Sequence, residues 1–225
     1  MVCMGLAAVP LLAAEPLGIT KLESCLKAMP AAELPAGAAV LVKNSSPAER
    51  IAIATNVVKT AVQINPAAAT LIVGAVARAV PETAALCAGA AAAGQPGQTE
   101  EITRTAVAVV PAQAGHIVVA VCRATPDEYK QIAITAARVA PVAARDILKA
   151  VGTVKPELRP YIDMEMALHT RDIPSVTWCL DQAEDARSRA TAAANRKDSR
   201  SGTPSKLKPP HGNGKPPGGR NYARP

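Results

Sequence analysis

Glu165, His169 and Asp172 stand at i, i+4 and i+7. On one continuous helix such a trio shares a face and offers two carboxylates and an imidazole to a divalent cation. The competing reading, and the preferred one, is a polar face near a helix end. His116 is the other histidine that could act as a base, and it is expected on a helix surface or in a groove; His211 falls in the C-terminal tail. The chain contains no GxSxG, HExxH, Walker-type or GxGxxG motif, so no nucleophile elbow, zinc helix or phosphate cradle is encoded. The expectation is a non-enzyme with no catalytic residue, no cofactor and no bound metal.

The five cysteines, Cys3, Cys25, Cys87, Cys122 and Cys179, include no CxxC pair and no metal-ligand spacing. Cys87 and Cys122 lie inside apolar stretches and read as small buried thiols. A disulfide scaffold is not expected.

The elements that would hold any such residue are set by a repeat. Prolines fall at 66, 81, 96, 111, 126, 141 and 156, seven in succession at intervals of 15. Six residues after each comes Ile72, Cys87, Ile102, Ile117, Ile132, Ile147 or Ile162. Self-similarity of this kind marks a tandem array. In the first unit the offsets +3, +6, +10 and +13 are Ala69, Ile72, Val76 and Ala79, one stripe of a helix at about 100° per residue. Proline suits a first helical position and stops the helix before it.

Thr125-Pro126-Asp127-Glu128 and Asn65-Pro66 read as N-caps, Ser46-Pro47-Ala48-Glu49 as a capping box, and Arg78, Arg123 and Arg138 as last-turn cations. The array extends upstream through Ile51, Val57, Ala61 and Ile64, giving eight helices of 11–13 residues between about 47 and 169. The turn around Gly94-Gln95-Pro96-Gly97 is expected to be looser. Helices this short are marginal alone and must stack. The predicted fold is all-α: an α-solenoid-like array in which pairs of helices form a structural repeat of about 30 residues.

Flanking segments differ in composition. Val2 to Ala14 is a short apolar run ending in Ala13-Ala14 before Glu15, which resembles the end of a secretory signal peptide without its basic leader. A first helix, or a start site placed too late, are the alternatives. Export to the periplasm or medium is expected if the run is a signal, and a cytoplasmic location if not. No later segment is expected to span a membrane, because Pro or charge interrupts every apolar run. Residues 15–45 read as an N-terminal capping segment with one short helix near Ile19 to Ala28, residues 46–172 as the array, and residues 173–195 as an amphipathic helix through Trp178, Leu180 and Ala183.

Charge is segregated. The chain carries a net +7, and Arg196 to Pro225 supplies all of it, with eight Lys or Arg against Asp198. This Pro/Gly-rich tail, residues 196–225, reads as disordered. It is either a solubilising extension or a nonspecific ligand for a polyanion, nucleic acid or anionic glycan, through Lys206, Lys208, Lys215, Arg220 and Arg224. With no Phe, one Trp and three Tyr, few side chains can anchor a partner. Trp178 is expected to cap the end of the array or to contact a partner, and Tyr129 and Tyr161 to fill the core in place of Ala or to line a groove.

The stretch Val57–Ile162, with pieces such as NPAAATLIVGAVARAVPE and PAQAGHIVVAVCRATP, resembles the Ala-rich tandem helical-repeat proteins of exported, functionally uncharacterised families of environmental bacteria. That resemblance covers about half the chain. It implies an envelope or secreted location and carries over no catalytic residue; the partner expected for the chain is an unknown protein or envelope polymer.

Overall fold

The computed structural model describes residues 19–169 and 173–201, and among these there is no strand. The helices are α1 (Ile19–Ala28), α2 (Leu34–Lys43), α3 (Arg50–Ile64), α4 (Ala69–Ala79), α5 (Ala84–Gly94) and α6 (Thr99–Val109). They continue with α7 (Ala114–Ala124), α8 (Tyr129–Val139), α9 (Ala144–Val154), α10 (Arg159–Leu168) and α11 (Val176–Ser201). The chain divides into two units, residues 1–188 and 189–225. In the second unit the described residues belong to α11, and those from Arg189 to Arg196 are exposed.

Each repeat begins where proline forces it to. The residue before proline cannot remain helical, and Asn65, Val80, Gln95, Val110, Thr125 and Ala140 all leave the α region, with φ between −128° and −142° and ψ between 70° and 85°. Proline then opens a three-residue 3-10 turn that runs into an 11-residue α-helix. The change of direction is sharp: segments Pro96–Val109 and Pro111–Ala124 meet at 119°. Eight helices, α3 to α10, fill the interval expected from the repeat.

Several local expectations are corrected. Thr125 does not cap α8. Its Oγ1 donates to the Val121 carbonyl at 3.3 Å and so finishes α7. Asn65 likewise makes no side-chain cap bond. Ser46 donates to the Glu49 carboxylate at 3.0 Å rather than to backbone, and α3 starts only at Arg50. The turn at Gln95 has the same geometry as the others (φ −139°, ψ 72°) and is not looser. Residues 15–45 hold a second helix, α2, that the prolines had masked: Pro35 sits in its first turn, where proline is tolerated.

The helices stack in two rows. One row contains α1, α3, α5, α7 and α9; the other contains α2, α4, α6 and α8; neighbours in sequence pack across the rows. The structural repeat is thus a helix pair of 30 residues, two sequence units. Packing on two sides widens the buried stripe. In every full unit from Pro66 to Pro141 the core takes offsets +6, +7 and +10, with +3 and +11 buried in most, an arc of about 140°. Offset +13, expected inside, is only half-buried or exposed. Ile72, Ile102, Ile117, Ile132, Ile147 and Ile162 form the central line at 0–1% exposure, each stabilising the stack by about 1.5–3 kcal/mol.

With so few bulky side chains, the rows close by backbone approach. A Cβ on Gly89 of α5 would stand 2.9 Å from the Ala120 carbonyl oxygen of α7, and one on Gly115 of α7 would stand 3.0 Å from that of Asp146 on α9. In the other row a Cβ on Gly74 would meet side chains rather than backbone, a methyl of Thr105 at 3.0 Å and Arg78 Nη2 at 3.1 Å. No single helix among the described residues is long and apolar enough to cross a membrane.

Candidate interaction surface

Offset +5 is exposed in both rows, at Leu71, Leu86, Glu101, His116, Gln131 and Asp146. It marks the outward face of each helix. Close approach of α7 and α9 leaves a groove between their outer faces, of about 500 Å³, floored by Ala112, Gly115, Val119 and Ala150. Its rims carry His116, Arg123, Asp146, Lys149 and Thr153. His116 therefore lies where the sequence placed it, exposed and in a groove. Lys149 stands 3.9 Å from Asp146, an exposed pair of small energetic weight. Arg123 has no acidic partner among the described residues.

Beside this groove lies a second hollow, of about 480 Å³, lined by Pro111, Ala112, Val139 to Ala143 and Asp146. One side-chain contact made elsewhere in the stack is missing beside it. The amide of Gln98 donates to the Pro66 carbonyl at 3.1 Å, and that of Gln113 donates to the Pro81 carbonyl at 3.0 Å. Both glutamines occupy offset +2 and reach the proline two units earlier. The next glutamine of the α7/α9 row would stand at 143, where the residue is Ala143, which neither fills the space nor donates to Pro111. Sequence reading missed this hollow, and offset +2, which runs Ala68, Thr83, Gln98, Gln113, Glu128 and Ala143, holds no series that marks it.

At the C-terminal end, α11 docks through Val176, Cys179, Leu180 and Ala183, all buried. Trp178 is not on that apolar face: it is 44% exposed, its ring edge-to-face with His169 at 5.2 Å between centroids. The Tyr129 hydroxyl donates to the Glu184 carboxylate, and the Lys130 ammonium stands 2.6 Å from Glu184 and 2.7 Å from Asp181. Lys155 lies over the Tyr129 ring at 5.3 Å. Tyr129 is thus a half-buried clasp for α11. Tyr161 is half-buried and packs against the core.

The cluster holds its charges firmly. Hydrogen bonds to Asp181 and Glu184 raise the Lys130 ammonium above the usual amine range. Burial and the bond to Glu184 raise the Tyr129 hydroxyl. Burial pushes the Glu184 carboxyl up, but bonds from Lys130 and Tyr129 outweigh it, and the group lies below its ordinary value.

Of the residues with ligand-type spacing, the structure describes Glu165 and His169. Helix α10 ends at Leu168, so the helical register that would join Glu165 to Asp172 stops. Glu165 is buried, while His169 ends α10 and gives its carbonyl to the Arg145 guanidinium. Asp172 lies outside the described residues, and among the described ones no three His, Cys, Asp or Glu side chains cluster. Burial pushes the Cys87 and Cys122 thiols up, to about 11 and about 12, so both stay protonated. The N-terminal apolar run and the tail residues Lys206, Lys208, Lys215, Arg220 and Arg224 also lie outside the described residues.

No family model, no curated protein and no solved structure matches this chain.

Proposed function

We propose that this chain is an exported, non-enzymatic helical-repeat protein that serves as an interaction module, holding another protein or an envelope polymer on the outer face of one helical row. The observation that carries the reading is the pair of adjoining hollows along α7 and α9, which share Ala112 and Asp146 and form one concave strip. Repeat arrays present such strips because each unit adds the same face in register. The export component rests on the apolar run from Val2 to Ala14. The test is fractionation of native cells, with mass spectrometry of the mature N-terminus and cross-linking of the fraction that contains the chain. The reading expects a chain beginning near Glu15 and linked to a second molecule. An intact Met1 in the cytosol removes export; a chain that links to nothing removes the interaction role.

A second reading is favoured by the charge segregation: polyanion binding through the tail, whose +7 is the whole net charge of the molecule. Such binding weakens steeply with salt. Replacing Lys206, Lys208, Lys215, Arg220 and Arg224 by Gln in the full chain is expected to abolish salt-sensitive binding to a DNA duplex. Unchanged binding would refute this reading.

A further inference from the structure

We infer that the strip along α7 and α9 is a site for an extended acidic peptide, which seats one apolar side chain between Pro111 and Pro141 and sets its carboxylates against Arg123 and Lys149. The inference rests on the interaction-module reading and names the partner chemistry.

The two hollows share Ala112 and Asp146 and so form one strip. An 11-residue helix is about 16 Å long, the span of about five extended residues. At one end the hollow is apolar: Pro111, Val139, Ala140, Pro141 and Val142, the last 85% exposed. The Gln98 and Gln113 bonds show what a proline carbonyl at this place accepts, namely an N–H from outside its own turn. The Pro111 carbonyl accepts the Ala114 N–H of its own turn and, with Ala143 opposite, no side-chain amide, so its second lone pair stays next to an apolar socket. Extended peptide supplies that combination, a main-chain N–H beside a side chain.

At the other end the formal balance is +1, Arg123 and Lys149 against Asp146, which stands 3.9 Å from Lys149. His116 and Arg123 are seven residues apart on one face of α7, Lys149 faces them from α9, and Asp146 is the sole acid lining the groove. Carboxylates complement that balance, and Arg123 offers a bidentate fork to one of them. The tail of this chain, being basic, is repelled by the same charges. Single-stranded nucleic acid would need aromatic platforms, and neither hollow is lined by Phe, Tyr or Trp.

The test uses the full chain and a fluorescein-labelled hexapeptide, Leu-Ala-Glu-Ala-Glu-Glu, with its reversed sequence, followed by fluorescence anisotropy. One of the two is expected to bind. Ala143→Gln fills the socket and donates to Pro111; it is expected to weaken binding by roughly tenfold or more without lowering the melting temperature. Arg123→Glu with Lys149→Glu is expected to abolish binding, and replacing the tail cations by Gln to leave it unchanged. Peptide binding unaffected by Ala143→Gln, binding lost only with the tail cations, equal competition by a thymidine hexanucleotide, or no binding of either peptide would each overturn the proposal. The last outcome, with a cross-linked partner still present in native cells, rejects the acidic peptide and leaves the interaction reading intact.

Discussion

The side-chain amide of Gln113 donates a 3.0 Å hydrogen bond to the carbonyl of Pro81, 32 residues earlier in the chain. That one bond states the register of the stack: offset +2 of one unit touches offset 0 of the unit two before it. Gln98 repeats it on Pro66 in the other row. Exposed hydrogen bonds of this kind contribute about 0.5–1.5 kcal/mol. Gln113→Ala is therefore expected to lower stability by about 1 kcal/mol in chemical denaturation, and Gln113→Ala with Gln98→Ala to lower it additively, since the two bonds lie in different rows. A double variant as stable as the parent would show that the two bonds are ornamental.

Ile117 is fully buried at the centre of the stack, whereas Leu71 is 63% exposed. Ile117→Asp places a carboxylate among apolar neighbours and is expected to cost several kcal/mol, enough to melt adjoining units. Leu71→Asp is expected to change stability by about 0.5 kcal/mol or less. Circular dichroism melts of the two variants make the comparison, and equal losses would mean that the rows are assigned to the wrong faces.

Helix propensity and packing make opposite forecasts at Gly89. Alanine is the better helix former by about 1 kcal/mol, yet its Cβ would meet the Ala120 carbonyl at 2.9 Å. Overpacking against backbone costs about 1–3 kcal/mol, so Gly89→Ala is expected to destabilise. Gly97, with nothing within 4 Å of the corresponding position, is the control. Gly97→Ala should be neutral or add a few tenths of a kcal/mol (order of magnitude). A melting temperature raised by Gly89→Ala would disprove backbone contact between α5 and α7.

How much of this was legible follows from the range of each interaction. The proline period, the breaks before it and the isoleucine line are local signals, and they survive intact at Pro66 to Pro156. Offsets +3, +6 and +10 of the expected stripe are buried in all or most units, whereas +13 lies at its edge and +7 and +11 were left out. The stripe was drawn too narrow, because a helix in a double row is covered from two sides. Thr125 misled because a hydroxyl before proline fits a cap, while the preceding carbonyl at Val121 lies nearer to it. The clasp of Tyr129 on Glu184 joins residues 55 apart that share no pattern. The strip on α7 and α9 is lined by residues of units 30 apart, such as Ala112 and Asp146, which no local pattern pairs.

The clasp has a pH signature. Glu184 is held below its ordinary value, so its contribution to docking α11 is full above about pH 4.3 and fades as pH falls through the lower folded value. Lys130 is held above its ordinary value, so its contribution is full below about pH 10.4 and is lost as pH rises through the higher folded value. Trp178, the one tryptophan, sits on α11 and reports the docking by its fluorescence. Emission is expected to change beyond each of these limits. Glu184→Gln should remove the acid step and Lys130→Met the alkaline one. A titration with neither step would detach the clasp from docking.

The central claim is that one helical row of this array carries the contact with another molecule. It is tested most directly by placing a photo-reactive amino acid singly at His116, at Lys149, at Leu71 and at Arg104, all exposed, in the full chain and irradiating living cells. Adducts from His116 and Lys149, on α7 and α9, with none from Leu71 and Arg104, on α4 and α6, are the predicted result. Adducts only from α4 and α6, or from none of the four positions, would contradict it.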